Sequence, residues 1–138
     1  MPMTAVEKIL ARACGLPSVK PGDTVYPDPD LVFVDDGYVT YCKTQLDHHR
    51  IPKVFDPKRI VFITDHAVLY TTPAAVAKGA DIRRIAKEWG IERFFDVGQG
   101  GNAHVFPMEM GMVSPGHMVF ANDSHCSNNG AIGALGMR

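Results

Sequence analysis

Two short groups of residues place a carboxylate beside an imidazole. Asp65 and His66 follow one apolar run, and Asp123, Ser124 and His125 follow another. An aspartate beside a histidine orders the imidazole and stabilises its protonated form, and a serine hydroxyl can bind a substrate carboxylate. The combination indicates proton-transfer chemistry. The alternative is a pair of polar turns, in which Asp123 or Ser124 caps a helix and the histidines are structural.

Two further junctions of the same kind are present. Asp35 and Asp36 follow the apolar run at 31–34, and the glycine-rich loop at 98–104 ends at His104. If the strands are parallel, their carboxyl ends share one edge of the sheet, where ligands bind. The loop has neither a GxGxxG opening into a helix nor the Lys-Ser/Thr of a P-loop, so nucleotide binding is disfavoured.

The elements that must position these residues follow from the hydrophobic pattern. Apolar, largely β-branched runs predict strands at 31–34, 59–64, 92–97 and 117–121, with a further short strand at Thr24–Tyr26. Helical spacing and end signals predict helices over 4–15, 38–50 and 73–90, the last interrupted at Gly79. Alternating strands and helices predict an α/β fold: a layered α/β/α domain with a mostly parallel sheet.

The C-terminal stretch from Gly130 to Arg138 is rich in glycine and alanine. It predicts the first turns of a helix that stops without a cap. We therefore expect the chain to be a fragment of a longer protein.

Composition narrows the classes of function. The chain has 138 residues and a formal net charge of -1, which suits one domain and offers no electrostatic reason to bind nucleic acid. It contains no apolar run long enough for a membrane span and no signal-peptide pattern, so a cytoplasmic protein is expected. The three cysteines are far apart and form no CxxC pair, and the Asp-His-His at 47–49 is best explained as a solvated helix end, so no metal ligands are assigned.

The motifs occur in an order that resembles that of a known protein family. The chain contains EKILARACG, DLVFVDD, ITDH, FFDVGQG and ANDSH in succession, with GAIGAL after them. This series resembles the N-terminal part of the aconitase superfamily, and within it the large subunits of 3-isopropylmalate dehydratases. The resemblance covers nearly the whole chain, and it implies that residues 1–138 form a single incomplete N-terminal segment of an aconitase-like domain.

The resemblance implies a hydro-lyase that reversibly dehydrates a hydroxy-dicarboxylic or tricarboxylic acid, using a [4Fe-4S] cluster whose ligands are not in this chain. The matching pair Asp65 and His66 would assist protonation of the leaving hydroxyl, and Ser124 would contact a substrate carboxylate. His104 matches the family's loop histidine with a shift of one residue. The implied catalytic residues are Asp65, His66, His104, Asp123 and His125, and the implied substrate-binding residues are Ser124 and Asp36.

The implied partners are the remainder of the large subunit, a separate small subunit with a swivelling domain, and the small-molecule substrate. One alternative is a non-catalytic module that retains the fold and binds a carboxylate or assembles with a partner subunit. A weaker alternative is a metal hydrolase, which would hold a divalent metal such as zinc without sulfide.

Overall fold

The computed structural model describes residues 2–138, and its centre is a five-stranded sheet. All strand pairs are parallel and the strand order is β3-β2-β1-β4-β5. The strands are β1 (Leu31–Asp35), β2 (Ile60–Ile63), β3 (Arg93–Phe95), β4 (Met118–Ala121) and β5 (Leu135–Met137). The prediction of an α/β fold with a parallel sheet is confirmed.

The first helix and the longest helix are bounded by residues that favour helix ends. Thr4 and Glu7 form a reciprocal capping box at the start of the first helix, and Pro73 and Gly90 bound the longest one. The α-helices are α1 (Ala5–Ala13), α2 (Val39–His48), α3 (Pro73–Trp89) and α4 (Phe106–Glu109), and two 3-10 helices span Pro57–Arg59 and Ser124–Ile132. Among these helices, none combines the length and the hydropathy that a membrane span requires.

Two hydrophobic layers cover the two faces of the sheet. On one face, Val34 and Phe62 pack against Ile85 and Trp89 of α3. On the other face, Phe33, Val61 and Val119 belong to a cluster with residues that follow β3 and β4. Because β1 and β2 are buried on both faces, their sequences are continuous apolar runs rather than alternating ones.

Two local predictions are wrong. Residues Thr24–Tyr26 form no strand: they lie in an extended connection outside the sheet. Gly79 does not interrupt α3, which runs unbroken through it. The ring of Tyr70 packs directly against this glycine, so a Cβ here would lie 2.6 Å from the hydroxyl oxygen of Tyr70.

The predicted C-terminal helix is also wrong. The stretch from Gly130 to Arg138 completes a 3-10 helix, turns at Gly133 with φ +76°, and then forms β5 against β4. The left-handed turn ends the helical path, and the next residues find backbone partners on an existing strand. The expectation of an uncapped C-terminal helix is therefore wrong.

Candidate functional site

Three of the predicted site histidines meet at the carboxyl edge of the sheet. His66 follows β2, His104 belongs to the loop after β3, and His125 lies in the 3-10 helix after β4. The ring centroids of His66 and His104 are 6.2 Å apart, and those of His104 and His125 are 5.0 Å apart. We call these three residues the histidine row. The parallel sheet thus brings together residues that are separated by up to 59 positions in the sequence, between His66 and His125.

The carboxylate of Asp65 holds one end of the histidine row. Its Oδ1 lies 2.6 Å from Nδ1 of His66, and its Oδ2 accepts a hydrogen bond of 2.7 Å from the backbone N–H of Ala103. Ala103 directly precedes His104, so one carboxylate fixes both histidines. The side chain of His66 is 51% exposed, and the Nδ1 contact leaves its Nε2 available to a ligand.

The protonation of His66 reflects this arrangement. Partial burial acts against the charged imidazolium, but the hydrogen bond to Asp65 and the charges of Asp65, Asp35 and Asp36 outweigh it and raise the pKa above 6.5. A raised histidine pKa favours folding below pH 6.5, and this contribution disappears as the pH rises through the folded-state value. Since half of the side chain is exposed, solvent screening keeps that contribution small.

We expect Asp65→Asn to lower the pKa of His66, because the substitution removes the nearest charge that stabilises the imidazolium. An NMR titration of the histidine side chains measures the shift. Asp47→Asn is the matched control: it removes an exposed carboxylate at the end of α2, where Asp47 pairs with Lys43. An unchanged His66 titration in the Asp65 variant would contradict the assignment.

Asp36 lies behind the site rather than on its surface. Its side chain is 1% exposed, and its oxygens accept hydrogen bonds from three consecutive backbone N–H groups. The N–H groups of Asp65 and His66 bond Oδ1 at 3.1 and 3.0 Å, and that of Ala67 bonds Oδ2 at 2.8 Å. The family resemblance implies a substrate contact for Asp36, whereas this geometry gives it the task of positioning the segment that carries Asp65 and His66.

Asp123 holds the other end of the histidine row. Its Oδ1 accepts a hydrogen bond of 2.8 Å from the backbone N–H of His125, lies 2.5 Å from Nδ1 of His125, and lies 3.4 Å from Nε2 of His104. The backbone hydrogen bond from His125, together with the imidazoles of His125 and His104, holds the pKa of Asp123 below 3.8 despite partial burial. Ser124 is exposed beside them at the start of the 3-10 helix.

Two residues of the site were missed by sequence reasoning. Asn122 exchanges hydrogen bonds with Asp35 across the ends of β4 and β1: its Oδ1 accepts from the backbone N–H of Asp35 at 3.1 Å, and its Nδ2 donates to Oδ2 at 2.6 Å. Asn129 is 3% exposed and lines a small pocket with His104 and Asp123, where its Oδ1 has no hydrogen-bond partner among residues 2–138. Only the position of Asn122 directly after a predicted strand could have indicated its role.

The cysteines of the chain do not fit an iron–sulfur cluster. Cys14 caps α1, Cys42 lies in α2, and Cys126 is buried in the 3-10 helix, so the three occupy different elements. Burial raises the pKa of both Cys42 and Cys126, which favours the thiol. Clusters are bound by thiolates.

We expect no stoichiometric cluster on this chain after anaerobic reconstitution with ferrous iron and sulfide. Iron and acid-labile sulfide analysis, with the visible absorption spectrum, measures it. A Cys14→Ser, Cys42→Ser, Cys126→Ser variant gives the background of adventitious iron. Four irons and four sulfides per chain, lost in that variant, would overturn the assignment.

The chain is similar in sequence to known proteins over most of its length. The family model described as "Aconitase family (aconitate hydratase)" matches residues 20–138. The large subunit of 3-isopropylmalate dehydratase from Moorella thermoacetica is 37% identical over 139 residues, covering 98% of this chain and 32% of that protein. The Pyrococcus furiosus large subunit 1 is 38% identical over 137 residues, covering 96% and 31%, and the Aquifex aeolicus large subunit is 38% identical over 139 residues, covering 98% and 31%.

The chain therefore spans about a third of the length of these relatives. The family match extends from the connection after α1 to the last residue and includes all three histidines of the row together with Asp65 and Asp123. Since it covers well over half of the chain, this protein belongs to the aconitase family.

Proposed function

We propose that this chain forms the N-terminal part of the large subunit of a hydro-lyase that reversibly dehydrates a hydroxy-dicarboxylic acid of the 3-isopropylmalate type. One observation carries the proposal: the histidine row, held at its two ends by Asp65 and Asp123. The names of the relatives support the reaction class and the substrate type.

Dehydration breaks a C–O bond, whose hydroxyl leaves as water once it receives a proton. It also breaks a C–H bond on the adjacent carbon: the electron pair of that bond forms the double bond, and its proton passes to a base that we assign to the remainder of the large subunit. His66 is the proton donor in our proposal, because its raised pKa keeps it protonated to a higher pH and Asp65 occupies its Nδ1. The exposed Nε2 delivers the proton, and in the hydration direction it takes the proton back from water. Asp36 acts through the backbone, by holding the strand end on which this pair lies.

Ser124 contacts a substrate carboxylate in this proposal, with His125 beside it. Both side chains are exposed at the carboxyl edge of β4. His104 and Asp123 complete the network that orients His125. The site residues named above comprise four acids, Asp35, Asp36, Asp65 and Asp123, and three histidines.

A dianionic substrate therefore needs further positive charge from outside these residues, since like charges repel. We propose that it comes from the remainder of the large subunit, which also holds the [4Fe-4S] cluster on its own thiolates, with a small subunit closing the site. The proposal thus makes residues 2–138 one wall of a larger active site.

A hybrid enzyme tests the proposal. The aligned N-terminal third of the Moorella thermoacetica large subunit is replaced by this chain, the hybrid is reconstituted with iron and sulfide in the presence of its small subunit, and dehydration of 3-isopropylmalate is assayed. We expect turnover, reduced by about 100-fold or more in His66→Ala, as for loss of a general acid. His48→Ala, at the exposed end of α2, is the control and should leave the rate unchanged.

The alternative is a non-catalytic module that binds carboxylates or assembles with a partner. It is favoured by the lack of suitable cluster thiols in residues 2–138. It predicts a folded hybrid without turnover, and it predicts that 3-isopropylmalate shifts the NMR signals of Ser124 and His125. A folded, cluster-loaded hybrid whose turnover does not depend on His66 would contradict the proposed role of that residue.

A further inference from the structure

The end of the histidine row at Asp123 offers the ligands of a divalent metal site. His104, Asp123 and His125 each present one ligand atom, and these atoms lie within 4.8 Å of one another. Two imidazoles and one carboxylate are a donor set that zinc uses when it keeps a fourth position open. We propose that His104, Asp123 and His125 bind Zn²⁺. The proposal requires neither a cluster nor a substrate, and it does not depend on the hydro-lyase function.

The distances suit a zinc ion after one small movement. With bonds of about 2.0 Å, two ligands on a tetrahedral zinc lie about 3.3 Å apart. Nε2 of His104 and Oδ1 of Asp123 are 3.4 Å apart, which already meets this spacing. Nδ1 of His125 is 2.5 Å from the same oxygen and must move outward. The side chain of His125 is 70% exposed, so its ring can move without disturbing the core.

The partly buried members of the set are fixed by their surroundings. The side chain of His104 is 13% exposed, and its backbone N–H donates to Oδ1 of Asn102 at 2.9 Å. Asp123 is held by the backbone N–H of His125. Asn129, buried and with an unpartnered Oδ1, lines the same pocket and provides an acceptor for a water bound to the metal. Two of the three ligands therefore occupy their positions before the ion arrives.

A second cluster of possible metal ligands in the same region is less suited to bind a metal. Asp35, Asp36 and His66 also lie close together. However, the oxygens of Asp36 accept three backbone N–H groups, and those of Asp35 accept the N–H of Gly37 and the amide of Asn122. Both carboxylates are buried and already accept several hydrogen bonds, so a metal would have to displace donors, whereas Asp123 is partly exposed and accepts one backbone N–H. Each buried donor left unpaired costs free energy. The zinc site is thus expected at Asp123 and not at Asp36.

The choice of metal follows from the ligands. Imidazole nitrogens favour zinc and other first-row transition metals, whereas magnesium and calcium prefer oxygen ligands. We therefore expect Zn²⁺ to bind one-to-one and Mg²⁺ not to compete with it. Zinc must displace any proton shared between Asp123 and His125, so binding releases protons.

Isothermal titration of the 138-residue chain with zinc chloride tests the proposal, together with NMR identification of the metal-bound histidine nitrogens. We expect one zinc per chain, bound through Nε2 of His104 and Nδ1 of His125. His125→Ala should weaken binding by more than about 100-fold, since even the loss of an outer-sphere partner costs 10- to 100-fold. The paired substitution His48→Ala, His49→Ala removes an exposed histidine pair at the end of α2 and should leave the affinity unchanged.

Two further measurements keep the test decisive. Circular dichroism of His125→Ala confirms that the variant folds, as its exposed position predicts. Cobalt in place of zinc reports on thiolate ligation, because Cys126 lines the same pocket. The proposal is overturned by the absence of zinc binding, by binding that survives His125→Ala, by loss of binding in the His48, His49 variant, or by a cobalt–thiolate absorption band.

Discussion

Replacing Asp36 with asparagine is expected to destabilise the fold by about 3 kcal/mol, the cost of disrupting charge-assisted hydrogen bonds to a buried acceptor. The side chain keeps its size, so no cavity forms. The new amide nitrogen, however, must face at least one of the three backbone N–H groups, and donor then meets donor. The segment from Asp65 to Ala67 loses the contact that fixes it behind the site.

The same substitution is expected to lower the pKa of His66, because Asp36 is one of the carboxylates whose charge raises it. Urea unfolding measures the stability, and an NMR titration measures the pKa. Asp23→Asn is the matched control, since Asp23 is exposed and accepts one backbone N–H from Lys20. That control should change stability by less than about 0.5 kcal/mol. Equal unfolding midpoints for the Asp36 and Asp23 variants would refute the positioning role.

Replacing Gly136 with alanine is expected to cost about 3 kcal/mol or to detach β5 from the sheet. A Cβ at this position would lie 2.0 Å from the carbonyl oxygen of Cys126 and 2.6 Å from its carbonyl carbon. Both atoms belong to the backbone of the 3-10 helix, so no side-chain rotation relieves the clash. The helix carries Ser124 and His125, and the displacement should therefore reach the site.

Hydrogen exchange separates the two outcomes for Gly136→Ala. The N–H of Leu135 bonds the carbonyl of His117 at 2.8 Å, and its protection reports on β5. Detachment removes this protection while β1 and β2 stay protected, whereas global loss of stability accelerates exchange everywhere. Gly130→Ala is the control, because its added Cβ would have no heavy atom within 4 Å. The close packing of β5 would be disproved if both variants behaved alike.

The strands that could be predicted from the sequence are those with a clear local pattern of apolar, β-branched residues. The runs at 31–34 and 60–63 are continuous and β-branched because those strands are buried on both faces. The last strand, β5, was not predicted because its own residues give only a weak strand signal. Its three residues, Leu-Gly-Met, have little strand character, and β5 exists because β4 offers an unpaired edge and Gly136 allows close contact with Cys126.

The candidate site likewise contains some features that the sequence could predict and others that it could not. The convergence of His66, His104 and His125 could be predicted, because polar residues after parallel strands meet at one edge. The position of Asp36 could not, because its partners are backbone N–H groups that follow a different strand. Sequence reasoning assigns roles by residue type, and a carboxylate that binds main chain has the same type as one that binds substrate.

The double role of Asp65 bears on how such a site can evolve. Its two oxygens tie His66 through the ring and His104 through the preceding N–H of Ala103. A change at this single position must therefore affect the placement of both imidazoles at once. The charges of Asp35 and Asp36 also raise the pKa of His66, so descendants of this sequence could adjust that pKa without loosening the contact between Asp65 and Ala103.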